Sequence, residues 1–148
     1  MNRSSKKAFT LIEVLLVIVI IAILAGIVII AVNPGRQISQ ANNAQRDSDV
    51  LAVLDAVHQF GIDNRGVLPA AITAVPTVMG SGAAEIDICT DLVPTYITEM
   101  PFDPITSGAS YTDCTSYSTG YTIAVDADGR VTVAAPDAEL SEVVSVTR

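Results

Sequence analysis

From Phe9 to Val32 the chain runs for 24 residues in which only Thr10 and Glu13 carry polar side chains. A helix rises about 1.5 Å per residue, so a run this long spans a bilayer core of about 30 Å. The eight residues before it hold Arg3, Lys6 and Lys7 and no acid. Basic flanks stay in the cytoplasm, so the N-terminus is expected inside and the bulk of the chain outside.

Two ordinary readings compete for such a segment. A secretory signal peptide also has a basic start, but its apolar region is about 7–15 residues and ends in a small-x-small cleavage site. This run is longer, and no clear A-x-A site follows Val32. A plain membrane anchor fits the length. Neither reading explains Glu13, because a carboxylate inside an apolar segment costs roughly 2–3 kcal/mol or more to insert and usually has a partner or a role.

The residues Lys6-Lys7-Ala8-Phe9-Thr10-Leu11-Ile12-Glu13-Val14 resemble the processing site of type IV prepilins and of type II secretion pseudopilins. The resemblance is strong over Lys6 to Val32 and loose beyond. It implies a leader peptide, residues 1–8, removed by a prepilin peptidase between Ala8 and Phe9. The same enzyme then N-methylates Phe9. Family members usually have Gly before the cut, where this chain has Ala8, which is also small. Many also carry a Pro within the apolar helix. Here the breaker inside is Gly26, and the Pro comes later, as Pro34.

The resemblance gives Glu13 a physical role. The precursor is a single-pass membrane protein; in a filament the apolar helices leave lipid and pack against one another. The Glu13 carboxylate then pairs with the amine of Phe9, most naturally on a neighbouring subunit. A buried charge pair adds little stability but can fix axial register. The implied partners are further copies in a helical homo-oligomer, the prepilin peptidase/N-methyltransferase, an assembly ATPase and a platform protein. The implied location is the cytoplasmic membrane for the precursor and the cell surface for the filament.

Charge agrees with an exported subunit. The chain has 8 basic and 16 acidic residues. Loss of the leader removes Arg3, Lys6 and Lys7 and leaves no lysine. So acidic a surface disfavours direct binding of nucleic acid or of anionic headgroups.

Cys89 and Cys114 lie on the expected outward side, where disulfides persist. Two cysteines allow one pairing, which closes a loop of about 25 residues and stabilises by about 3 kcal/mol in the chain-entropy model. The alternative is two free buried thiols. Two thiols and a distant His58 do not make a zinc site. A lone His at the margin of an apolar helical stripe reads as a packed structural residue. The fragment Asp126-Ala127-Asp128-Gly129 looks like part of a calcium loop, and some pseudopilins bind calcium near their C-terminus. Arg130 stands where an EF-hand needs an oxygen ligand, and a hairpin turn explains the same residues. No cofactor is expected.

Along the chain, Asn33-Pro34-Gly35 predicts a kink. A second helical stripe follows through Ile38, Ala41, Ala44, Leu51, Leu54 and His58, widened by Val50, Val53, Val57 and Phe60, and ends near Gly61. Residues 62–84, rich in Gly and Pro, read as loop. Cys89 to Ile97 reads as a short helical turn with Leu92, Val93, Tyr96 and Ile97 inward. Met100-Pro101-Phe102-Asp103-Pro104 is extended or turned.

Tyr121 to Ala135 reads as a β-hairpin. Setting Val125 opposite Val131 puts Ile123 opposite Val133 and Tyr121 opposite Ala135, one apolar face. Asp126 then faces Arg130, a pair worth a few tenths of a kcal/mol. Ala127-Asp128-Gly129 is left as a three-residue loop with Gly at its left-handed end. Val143–Val146 is a candidate third strand, and the neighbourhood of Tyr111 and Tyr117 another. The fold class is therefore α+β: a long N-terminal helix packed under a small antiparallel sheet, as in pilins. The expected division is leader 1–8, membrane or filament-core helix 9–32, amphipathic helix 33–61 and globular head 62–148.

The function this implies is structural: a subunit of a type IV pilus-like filament for surface attachment, motility or DNA uptake. The alternatives are a pseudopilin of a type II secretion system and a membrane-anchored binding module that never polymerises. No enzyme motif is present: the sequence has no P-loop, no G-x-S-x-G and no H-E-x-x-H.

Overall fold

A computed structural model describes residues 9–148. The expected leader, including Ala8, lies outside the described residues. The chain divides into two compact units, the first ending at Ile38 and the second running from Ser39 to Arg148.

The first unit is built on α1 (Leu11–Val32). Thr10 caps it: its backbone is extended, and its hydroxyl accepts a hydrogen bond from the Glu13 amide at 3.3 Å. The expected break falls on Asn33, which turns left-handed at φ 47°. Its side chain accepts from the Arg36 amide at 3.4 Å, so Asn33 ends one helix and caps the next. Pro34 opens α2 (Pro34–Asp63), at the helical position where its missing N–H costs nothing.

In the second unit α2 lays down a stripe of Val50, Val53, Leu54, Ala56 and Val57, all buried. The sheet consists of β1 (Thr77–Gly80), β2 (Ser110–Asp113), β3 (Ser116–Val125), β4 (Val131–Ala135) and β5 (Val144–Thr147). It is antiparallel in the order β1-β3-β4-β5, and β2 pairs with the start of β3. Tyr117, Tyr121 and Ile123 of β3, Val131, Val133 and Ala135 of β4 and Val144 share one buried cluster with the α2 stripe. Each fully buried Val, Leu or Ile contributes about 1.5–3 kcal/mol of transfer free energy. The architecture is α+β, a long apolar helix followed by a small antiparallel sheet.

The β3–β4 hairpin pairs Val125 with Val131 and Ile123 with Val133. The Asp126 amide donates to the Arg130 carbonyl at 2.9 Å and closes the Ala127–Gly129 loop. Gly129 takes φ 82°, a conformation that disfavours any Cβ. β5 extends the sheet where the third strand is expected, and Tyr111 and Tyr117 both fall in strands.

Three readings need correction. Ile38, Ala41, Ala44 and Leu51, read as part of the apolar stripe of the second helix, are exposed, and the buried face runs instead through Asn43, Arg46, Val50, Val53, Leu54 and Val57. β1 lies in the stretch read as loop. Its four residues, between Pro76 and Ser81, are too few to show an alternating pattern, and pairing with β3 makes them a strand. The second helix also continues past Gly61 to Asp63. A Cβ on Gly61 would meet the Leu68 side chain at 3.5 Å, an ordinary contact, so this position neither requires glycine nor ends the helix. The stop comes later, where Arg65 takes φ 59° and the Gly66 amide reaches back to the Gly61 carbonyl at 2.7 Å. That is a Schellman ending with arginine where glycine is usual.

A helical turn, α3 (Cys89–Leu92), packs Leu92 into the core, with Val93, Tyr96 and Ile97 half-buried against it. A disulfide joins Cys89 to Cys114, between β2 and β3, across a Cα separation of 5.3 Å. Replacing both cysteines with serine is expected to lower unfolding free energy by about 3 kcal/mol. Denaturant titration of the detergent-solubilised chain checks this; an unchanged midpoint refutes it.

Candidate functional site

In the first unit the site is the surface of α1. None of its residues is buried, and its large apolar side chains are between 46% and 85% exposed. Soluble proteins rarely leave an apolar patch above a few hundred Å² uncovered. By length and composition α1 is apolar enough to cross a membrane. Phe9, at 78% exposure, sits just ahead of the cap. Glu13 occupies the third helical position, where an acid meets the positive end of the helix dipole. Thr10-x-x-Glu13 is half of a capping box, a local role that sequence reading missed although the spacing carries it. Among the described residues Glu13 makes no ion pair.

In the second unit the polar site is a buried cluster around Arg46, whose side chain is fully enclosed. The guanidinium grips Asp103 with two bonds, Nε to Oδ2 at 2.7 Å and Nη2 to Oδ1 at 3.1 Å. Its Nη1 donates to Asn43 Oδ1 at 2.8 Å and to Glu139 Oε2 at 3.2 Å. Asn43 in turn donates to the Glu139 carbonyl at 2.8 Å and to Glu142 Oε2 at 2.9 Å, and accepts from the Glu139 amide at 2.9 Å. Ser39 and Asn42 donate to the two Glu139 carboxylate oxygens at 2.8 Å each. Burial alone would raise the Asp103 pKa. The Arg46 hydrogen bonds and the amides of Ile105 and Thr106 outweigh it and hold the carboxyl at about 2. Glu139 is lowered by its bonds from Asn42 and Ser39, with Arg46 adding to them. Beside the cluster, Tyr121 donates to Asp49 at 2.8 Å, and burial followed by that carboxylate pushes the phenol pKa up.

None of these cluster residues was singled out from the sequence. The signal was there: stepping back from Val50 by four and seven residues along the buried stripe reaches Arg46 and Asn43. A cation on an apolar helical face needs a buried partner.

Of the residues expected to act, Cys89 and Cys114 meet in the disulfide. Asp126 and Asp128 meet in the hairpin turn, and Arg130 pairs with both, at 3.5 and 3.3 Å. The Asp126 Oδ1 also accepts from the amides of Asp128 and Arg130. Among the described residues no group of three or more His, Cys, Asp or Glu side chains is placed to hold a metal. His58 Nε2 is enclosed without a hydrogen-bond partner among the described residues.

Residues 3–29 match the family model for the prokaryotic N-terminal methylation motif. That motif marks the chain as type IV pilin- or prepilin-like. It supports a protein of the pilin or pseudopilin type without distinguishing the two. The motif and the apolar helix fit a membrane-anchored precursor. No curated protein and no solved structure gives a significant match.

Two outcomes follow for the Arg46 cluster. Asp103→Asn leaves a buried guanidinium without its counter-charge and is expected to lower stability by about 3–5 kcal/mol, read by denaturant unfolding. The folded-state pKa of Asp103 lies below its ordinary 3.8, at about 2, so its contribution is complete above pH 4 and is lost as pH falls toward 2. Thermal unfolding across that window should show a fall in Tm that is smaller in Asp103→Asn.

Proposed function

We propose that the chain is a pilin: a precursor cut between Ala8 and Phe9, N-methylated at Phe9 and polymerised through α1 into a surface filament. The observation that carries this is a 22-residue helix with no residue buried, apolar but for Glu13 in its first turn, the one acid of the methylation motif. Lipid covers that helix before assembly and other copies cover it afterwards. The reading divides the chain into leader 1–8, membrane and filament-core segment 9–32, amphipathic helix 33–61 and head 62–148. The partners are a prepilin peptidase/N-methyltransferase, an assembly ATPase, a platform protein and further copies. Glu13 sets axial register against the Phe9 amine of a neighbour, a pairing that helix packing alone does not specify.

Intact mass and N-terminal sequencing of protein sheared from cells test the reading. A methylated Phe9 start, abundant in the sheared fraction, is expected of a pilus subunit. A short secretion filament leaves little there. A Met1 start confined to membranes overturns the proposal in favour of an anchored module. Glu13→Val is expected to insert normally and to cut sheared filament at least about tenfold, since about 1.4 kcal/mol of lost register energy per contact suffices. Wild-type yield from that variant refutes the register role.

A further inference from the structure

The described residues contain five cations, all arginine, against 16 acids. Arg46, Arg130 and Arg148 each pair with acids of their own chain. In the second unit that leaves Arg65 exposed and without an ion pair among the described residues. It stands between two strongly exposed apolar side chains, Ile62 at 77% and Val67 at 64%. Its backbone is left-handed at the end of α2, where glycine would fit with less strain.

A counterpart lies on the C-terminal segment. Glu142 is exposed, makes no ion pair among the described residues, and stands between Leu140 at 44% and Val143 at 90% exposure. Leu140 and Ser141 are both left-handed, at φ 58°. Non-glycine residues held there cost on the order of 1 kcal/mol each and persist only where surrounding contacts fix them. Here Asn43 does so, bonding to Glu139 on one side and Glu142 on the other. Both segments thus hold strained backbone that presents a charge between two apolar groups, and the two charges are opposite.

They cannot meet within one chain. Asn43 and Asp63 mark their places along α2, about 30 Å apart at 1.5 Å per residue. We propose that they meet between copies: the Ile62–Arg65–Val67 patch of one head docks on the Leu140–Glu142–Val143 patch of the next, with Arg65 paired to Glu142. Two different patches make a heterologous contact, which propagates into an open helical array rather than closing a dimer. The inference rests on the filament reading and names its head-to-head interface.

Charge exchange in the full-length protein, in its native cells, tests it. Arg65→Glu and Glu142→Arg should each lower sheared filament about tenfold through like-charge contact, and the double variant should recover most of the loss. A double variant no better than the worse single overturns the interface. Wild-type protein missing from the sheared fraction overturns the filament reading, and this interface with it. A second readout does not depend on the charges. Both native cysteines are in the disulfide, so Val67→Cys with Val143→Cys supplies the free thiols. Mild oxidation of filaments should give a ladder of cross-linked chains; monomer alone, from filaments that still form, overturns the proposal.

Discussion

A guanidinium removed from water must be matched on every side, and Arg46 is matched by one group of its own helix and by groups from two distant stretches of chain. Asp103 comes from the turn before β2, Asn43 from the preceding turn of α2, and Glu139 from the segment between β4 and β5. Losing one partner would leave the others buried and half-satisfied, so the cluster is all or nothing. Hydrophobic packing of the α2 stripe on the sheet tolerates small slides. The two parallel bonds from Arg46 to Asp103 do not, because they fix both distance and orientation. Gly120 extends the constraint into β3: at φ 74° a Cβ would lie 3.1 Å from the Asp103 Cβ. The turn carrying Asp103 can approach the sheet closely because that residue has no side chain.

Much of this fold is legible in the sequence, where local pattern and tertiary context agree. The α1 run is apolar on every face, and the β3–β4 hairpin has both alternation and a glycine at its turn. The Leu54–Val57 stripe has helical period and an obvious sheet to cover it. What escapes reading is what depends on distant partners. β1 is four residues without alternation, and its identity comes from pairing with β3. Arg46 reads locally as one more polar residue in RQISQANNAQRDSD, because its partners lie 57 and 93 positions away. Gly61 looks like a helix stop, but the stop is made further on, by Arg65 and Gly66. In the candidate site, Glu13 stands out by its cost in an apolar segment, and its part in capping the helix with Thr10 is carried by the Thr-x-x-Glu spacing.

On the proposed filament reading, assembly and folding draw on different physics. The α1 surface is large and uniform, so burying it is favourable in almost any rotation or slide. Such a surface supplies affinity with little specificity. Direction must come from sparse polar groups, and the sequence after Phe9 has few cations to give: five arginines and no lysine. Three are used to hold their own chain together. Arg65 is held in a conformation that glycine would adopt with less strain, which makes it a poor choice for stability alone. A contact outside its own fold, as proposed for Arg65, would give that exposed side chain a use that offsets the strain. The left-handed Leu140 and Ser141 beside Glu142 follow the same logic with the opposite sign of charge.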